Sequence, residues 1–213
     1  MKIVSVILAR GGSKGVPRKN IIDINGKPLI WYSINASLNS NVDETWVSTE
    51  DEEIKNVSID CGANVIDRPQ DLATDISQSE GALLHFADNV DFDVLVFIQP
   101  CAPLIKSEFI NTGVDMVVND EYDSSVAVVR ESWMPKWDLD MNTINWDIKN
   151  RPMRQEKPEW YKEVGMLYIT TQEKLLFSKL RYSGNIGVIE IPVKDSFQID
   201  TMEDLELIRK LIL

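Results

Sequence analysis

Four cations stand close together near the start of this chain. The stretch Arg10-Gly11-Gly12-Ser13-Lys14-Gly15-Val16-Pro17-Arg18-Lys19-Asn20 sets Arg10, Lys14, Arg18 and Lys19 among three glycines and a serine. Glycine lets a backbone turn tightly and approach a ligand where a Cβ would intrude. Ammonium and guanidinium heads, together with backbone N–H groups, are the donors that polyphosphate oxygens take. The spacing is neither GxxxxGK[ST] nor GxGxxG, so the two common phosphate-loop signatures do not apply. Charge distribution strengthens the reading. Residues 1–27 hold six Lys/Arg and one Asp, a balance of +5, in a chain whose net charge is −12, so the remainder carries −17. An acidic protein that gathers positive charge in one glycine-rich turn is built to meet a small anion there.

The elements around that turn must hold it in place. Residues 2–9, with Ile3, Val4, Val6, Ile7 and Leu8, read as a buried strand that empties into it. Residues 21–24 read as a short strand turned by Asn25-Gly26. Lys27-Pro28-Leu29 then opens a helix to about Asn39, with proline in its first turn. Further strands are predicted over 45–49, 63–66, 94–98, 125–129, 166–170 and 187–192. Helices are predicted from the acidic start Glu50-Asp51-Glu52-Glu53 to Gly62, over 80–89, over 106–119 and near Lys174. A last helix, residues 202–213, has Thr201 as N-cap and Asp204 three residues on, a capping-box pattern.

Strands alternating with helices of this length specify an α/β fold, a mostly parallel sheet with helices on both faces. Ligands of such sheets bind beyond the carboxyl ends of the strands. The basic turn, the polar connection 67–79 and the loop Gln99-Pro100-Cys101-Ala102-Pro103-Leu104 each follow a strand, so all three are expected to rim one cleft. Residues 130–163 break the alternation and hold four of the six tryptophans, Trp133, Trp137, Trp146 and Trp160. This segment reads as a protruding arm on a single domain spanning 1–213, with a polar hairpin over 138–150 and exposed tryptophans that suit a subunit interface.

Composition narrows the class. The chain is 44% apolar and 26% charged, which is ordinary for a globular domain. No stretch approaches the roughly 20 apolar residues of a membrane span, and the N-terminus shows no basic region followed by an apolar core and cleavage site. Only two cysteines occur, Cys61 and Cys101, in apolar surroundings, so the expected location is the reducing cytoplasm. The acidic balance and the lack of a long basic stripe argue against nucleic acid and membrane as partners. His85 is the only histidine and lies mid-helix, and no Ser, Cys or His nucleophile is in evidence.

Taken together, Ala9-Arg10-Gly11-Gly12-Ser13-Lys14-Gly15-x-Pro17-x-Lys19-Asn20 resembles the nucleotide-binding signature of the acylneuraminate (CMP-sialic acid synthetase) cytidylyltransferases. Arg68-Pro69, Leu72-Ala73-Thr74-Asp75, Gln99-Pro100-x-x-Pro103-Leu104 and Ile199-Asp200-Thr201-x-Glu203-Asp204-Leu205 resemble further blocks of that family, in order. The resemblance implies a Rossmann-like nucleotidyltransferase fold and a homodimer built by the arm. It also implies Mg²⁺-dependent transfer of CMP from CTP to the anomeric hydroxyl of a 3-deoxy-2-ulosonic acid sugar, with release of pyrophosphate. On this mapping Arg10, Ser13 and Lys19 take the CTP phosphates, with Gly11, Gly12 and Lys14 in the same loop. Asn20, Arg68 and Ser79 face ribose and cytosine, and Gln99 touches the sugar. Arg154, Lys162 and Tyr168 resemble the acid-sugar segment, in which an arginine, in cis or from the other subunit, holds the carboxylate. Asp200 is the implied metal ligand.

The chain also departs from the family pattern. Gln198 stands where the family usually has a second metal-binding Asp; on a strand it would share a side with Asp200 and offer a carbonyl oxygen. Lys162 replaces an arginine, and lysine is a point charge rather than a fork. Val164-Gly165-Met166 and Ile105 differ from the usual residues as well. The chemistry asks for charge neutralisation and in-line positioning rather than an enzyme nucleophile. The leading expectation is activation of a sialic, legionaminic or pseudaminic acid. A Kdo-type acid, a sugar-1-phosphate nucleotidyltransferase and a non-catalytic CTP-binding module are the alternatives.

Overall fold

Ile3–Leu8 forms β1, an interior strand of a seven-stranded sheet in a computed structural model that describes residues 1–212. Alternation along β1 serves both faces: Val4 and Val6 point to one apolar cluster and Ile7 to the other. On one side β1 pairs in parallel with β4 (Glu44–Thr49), which pairs in parallel with β5 (Asn64–Asp67). On the other side it pairs in parallel with β6 (Val94–Ile98), whose five residues are all buried. Beyond β6 come β8 (Trp160–Thr171), β7 (Ser124–Glu131) and β9 (Ile186–Glu190), giving the order β5-β4-β1-β6-β8-β7-β9. β8 runs antiparallel to both neighbours, so the sheet is mostly parallel with one reversed strand. Helices cover both faces. α1 (Leu29–Leu38), α2 (Glu52–Asp60) and α4 (Ser107–Val118) bury Ile30, Ile34, Ile54, Ile110 and Val114 on one side. α3 (Ser79–Asn89) and α5 (Gln172–Ser178) bury Leu83, Phe86 and Leu175 on the other.

Several expectations need correction. The predicted strand 21–24 is shorter than expected: Ile21 ends a 3-10 turn, Lys19–Ile21, and β2 covers Asp23–Ile24, which pairs with β3 (Lys27–Pro28) in a separate hairpin. Asn25 and Gly26 both take positive φ, the geometry of a two-residue hairpin turn. Pro28 is therefore extended and caps α1 instead of lying within it. The final helix, α6, is Met202–Leu211, and Leu213 of the predicted range lies outside the described residues. The Thr201–Asp204 capping box is present, each residue's side chain meeting the other's backbone N–H.

The arm is smaller than predicted. Residues 130–131 belong to β7 and 160–163 to β8: Arg130 and Glu131 pair with Tyr161 and Trp160, and Lys162 and Glu163 pair with Val129 and Val128. Between them the predicted hairpin 138–150 makes only isolated bridges, Trp137 with Thr143 and Asp147 with Asn150. Trp133 is not exposed: it is 4% accessible and packs inside its own chain. Trp137, Leu139, Met141, Ile144 and Ile148 do face solvent. Among the described residues no helix is long and apolar enough to cross a membrane, and both cysteines are free.

Candidate active site

Because β1, β4, β5 and β6 are parallel, the segments that leave them emerge along one edge. There they enclose a cleft of about 440 Å³ lined by Arg10, Ser13, Lys14, Lys19, Asn20, Arg68, Ser79, Gln99 and Asp200, among others. Nine residues singled out by the sequence thus share one wall. Gly11 and Gly12 belong to the loop but do not line the cleft, and the Gly11 N–H already donates to Glu50 Oε1 at 2.7 Å. Asn20 is buried, and its side-chain amide donates to the Arg10 carbonyl at 2.8 Å, so it ties the two ends of the loop together. Gly15 is needed for closeness, since a Cβ there would collide with the backbone carbonyl of Asp200. That contact fixes the loop against the segment before α6.

Each cation of the loop meets a carboxylate. Asp75 bridges Lys14 at 2.7 Å and Arg10 at 3.1 Å, and Arg10 also donates to the Thr74 carbonyl at 2.7 Å. Lys14 foremost, with Arg10 nearby, holds the Asp75 carboxyl below the usual carboxylate range. Lys19 Nζ donates to the Ile199 carbonyl at 2.9 Å and to Asp200 Oδ1 at 3.1 Å. Arg68 is buried and bonds Glu50 at 3.1 Å, while its Nε has no partner among the described residues. Burial lowers the Arg68 pKa, against the opposing pull of Glu50.

Arg18 departs from the expected phosphate role. It turns away from the cleft and forks onto Asp51 at 2.6 and 2.8 Å, with Glu53 at 2.5 Å. Sequence reasoning missed Glu50, Asp51 and Asp75 as partners. The signal was available for the first two, which directly follow β4 and so arrive at the same edge of the sheet as the basic loop.

A second cleft of about 470 Å³ adjoins the first and carries Arg130, Lys162, Glu163, Gly165, Phe197, Gln198 and Asp200. Asp200 lines both. Gln198 does not lie on a strand: residues 196–201 form no ladder, and Ile199 N–H donates singly to the Cys101 carbonyl at 2.8 Å. Gln198 and Asp200 nevertheless flank the buried Ile199 and reach the same cleft. A Cβ on Gly165 would lie 2.9 Å from Gln99 Oε1 and 3.1 Å from Gln198 Nε2, so the missing side chain makes room for both amides.

The acid-sugar candidates are not brought together. Lys162 lines the second cleft, whereas Arg154 lines a third, with Trp133 and Gln155, that shares no residue with it. Tyr168 corrects a further expectation: it is 2% accessible, stacks between Phe97 and Tyr182, and lines none of these clefts.

Among the described residues no group of three or more His, Cys, Asp or Glu is placed to hold a metal. That donor set still suits magnesium, which takes one or two carboxylates and completes its shell with substrate phosphates and water. Asp200, two-thirds exposed where the clefts meet, is such a carboxylate. The Cys101 thiol lines the first cleft, but burial pushes its pKa up to about 11, which argues against a thiolate nucleophile.

Residues 4–212 match the family model described as Cytidylyltransferase. The chain is 34% identical over 203 residues to N-acylneuraminate cytidylyltransferase B of Danio rerio, an alignment that covers 92% of this chain and 48% of that protein. It is 31% identical over 218 residues to the pseudaminic acid cytidylyltransferase of Campylobacter jejuni, covering 97% and 94%. A solved structure of CMP:2-keto-3-deoxy-manno-octonic acid synthetase complexed with CTP superposes with a TM-score of 0.76 at 22% identity, covering 100% of this chain and 98% of that one. At that identity the likeness bears on the fold. The chain spans about half the length of the Danio rerio relatives it matches and nearly the whole length of the Campylobacter one.

Proposed function

Because this chain belongs to the cytidylyltransferase family, we propose that it transfers CMP from CTP to the anomeric hydroxyl of a nonulosonic acid of the sialic, legionaminic or pseudaminic type. The observation that carries the reading is a cationic cleft joined through Asp200 to a second cleft that offers Lys162. The first suits a triphosphate and the second an acid sugar.

In the reaction the anomeric oxygen attacks the α-phosphorus, the bond from that phosphorus to the bridging β-oxygen breaks, and pyrophosphate leaves. The hydroxyl proton is lost to water. Arg10, Ser13, Lys14 and Lys19 bind the phosphates and offset the charge that grows on the leaving group. Asn20, Arg68 and Ser79 take the nucleoside end. Gln99 and Lys162 orient the acceptor, Lys162 by pairing with its carboxylate. Asp200 would hold Mg²⁺ together with the phosphates, with Gln198 close by, and bound magnesium supplies charge neutralisation and alignment.

The exposed apolar side chains of residues 134–148 support a homodimer built on the arm. Arg154, which shares no cleft with Lys162 within one chain, is assigned to the acid-sugar site of the partner copy. Two free cysteines suit the cytoplasm.

The test is pyrophosphate release from CTP and Mg²⁺ with N-acetylneuraminic, pseudaminic, N,N′-diacetyllegionaminic and Kdo acids, and with glucose 1-phosphate as control. Release that depends on a nonulosonic acid supports the reading. Turnover with Kdo alone or with the sugar phosphate, or CTP binding without turnover, overturns it.

A further inference from the structure

Glu163 lines the second cleft, and an irregularity in β8 brings Tyr168 within reach of its carboxylate. β7 and β8 pair Val126 with Tyr168 and Val128 with Glu163, so two steps on β7 are met by five on β8. In a regular strand, residues five apart point to opposite faces and lie roughly 16 Å apart. Here the three extra residues of β8 between Glu163 and Tyr168 are taken up in a bulge, and the Tyr168 hydroxyl donates to Glu163 Oε1 at 2.7 Å. The Tyr182 hydroxyl donates to Oε2 at 3.2 Å. Burial first, and Glu163 next, raise the Tyr168 pKa, while the Glu163 charge is the main cause that raises that of Tyr182. Both hydroxyls therefore keep their protons and act as donors. Bulges beside active sites commonly re-aim one side chain, and this one delivers a carboxylate.

Two tyrosines hold that carboxylate on the face of the sheet opposite to Lys162, yet Glu163 remains exposed and is among the residues that line the second cleft. A carboxylate offers about four acceptor sites, so the two tyrosine bonds leave capacity for a ligand donor. Nothing in the phosphate chemistry calls for it, because a triphosphate presents acceptors and negative charge. The complementary ligand is one rich in hydroxyl or amide N–H groups.

We propose that Glu163 is a specificity-determining residue for the acceptor, its tethered carboxylate accepting a hydrogen bond from a hydroxyl or amide N–H of the acid sugar. The assignment rests on the cytidylyltransferase reading above. Tyr168 and Tyr182 act through it as positioning residues, which gives the buried Tyr168 a part in recognition without contact with the substrate.

The test compares wild type, Glu163→Gln and Tyr182→Phe in pyrophosphate release, varying CTP and, separately, N-acetylneuraminic, pseudaminic or N,N′-diacetyllegionaminic acid. Glutamine keeps the shape but turns an N–H₂ group toward the ligand donor or toward a tyrosine. For Glu163→Gln the KM for the sugar should rise about tenfold, the scale of a lost hydrogen bond to a charged group, while kcat and the KM for CTP stay within about twofold. Tyr182→Phe should raise the same KM by a smaller factor. An unchanged sugar KM in Glu163→Gln overturns the proposal. So does a parallel rise of both KM values with a lowered Tm, which would make Glu163 a scaffold residue. A wild-type protein inactive with all three sugars overturns the cytidylyltransferase reading itself, and this assignment with it, and is told apart because it appears before any substitution.

Discussion

Lys19 and Asp200, 181 positions apart in sequence, meet at the mouth of the cleft with Nζ 3.1 Å from Oδ1. The lysine is the better buried of the two, its side chain 18% accessible against 67% for the aspartate, and the Ile199 carbonyl steadies it from behind. Its charge is thus held in place before any nucleotide arrives. Lys19→Ala should lower kcat by about 10²- to 10³-fold, the usual effect of removing one preorganised donor from a developing negative charge. A steady-state rate near that of wild type rejects its role at the phosphates.

Asp200→Asn keeps the size of the side chain and removes its charge. The Mg²⁺ concentration for half-maximal activity should rise at least tenfold, or activity should vanish at every concentration. The check is a Mg²⁺ titration at saturating CTP, and an unshifted curve assigns the metal to other residues.

Asp75 occupies two of the cations that the proposed function assigns to the triphosphate, bridging Arg10 and Lys14. A nucleotide must displace it, so Asp75→Asn should tighten CTP binding several-fold at low salt and steepen its salt dependence. Isothermal titration at two ionic strengths tests this. Weaker binding would mean that Asp75 assists the nucleotide instead of competing with it.

The Arg18 fork, above all, holds the Asp51 carboxyl down to about 2. An unfolded aspartate titrates near 3.9, so the folded state gains stability from this pair above about pH 4 and loses it as the pH falls toward 2. With both side chains partly exposed, the gain is on the order of 1 kcal/mol. Asp51→Asn retains a competent N-cap for α2 and should lower Tm at pH 7 while flattening its fall below pH 4. Thermal melts across that range decide the matter, and parallel curves for variant and wild type would refute the claim.

Trp133 and Trp137 lie four residues apart yet call for opposite outcomes. Trp133→Glu buries a charge in the chain's own interior and should lower Tm sharply. Trp137→Glu changes a side chain that is 40% accessible, and should leave Tm nearly unchanged while moving the sedimentation profile toward monomer. A Trp137→Glu protein that sediments as wild type argues against an arm-built dimer.

What the sequence displayed most clearly was whatever obeys a local rule. β1 and β6 showed as apolar runs, α6 as a capping box, and the meeting of three loops at one edge followed from strand alternation alone. Less visible was anything set by distant partners. Arg18 and Lys19 are neighbours with similar charge, but one turns to Asp51 and the other to Asp200, and no local pattern separates them. The reversed strand β8 showed only its apolar half, 166–170, because residues 160–163 owe their pairing to β7 and not to hydrophobic periodicity. Tyr168 carried a family role in the sequence, and a bulge invisible to spacing placed it under Glu163.

Asp200 closes one chamber and opens another, and its main chain presses against Gly15. A partition wall shared in this way makes the two occupancies thermodynamically dependent. Whatever fills the nucleotide side and loosens Asp200 from Lys19 reshapes the acceptor side, and linkage requires the same coupling in reverse. Occupancy of either chamber therefore changes the affinity of the other by the same factor.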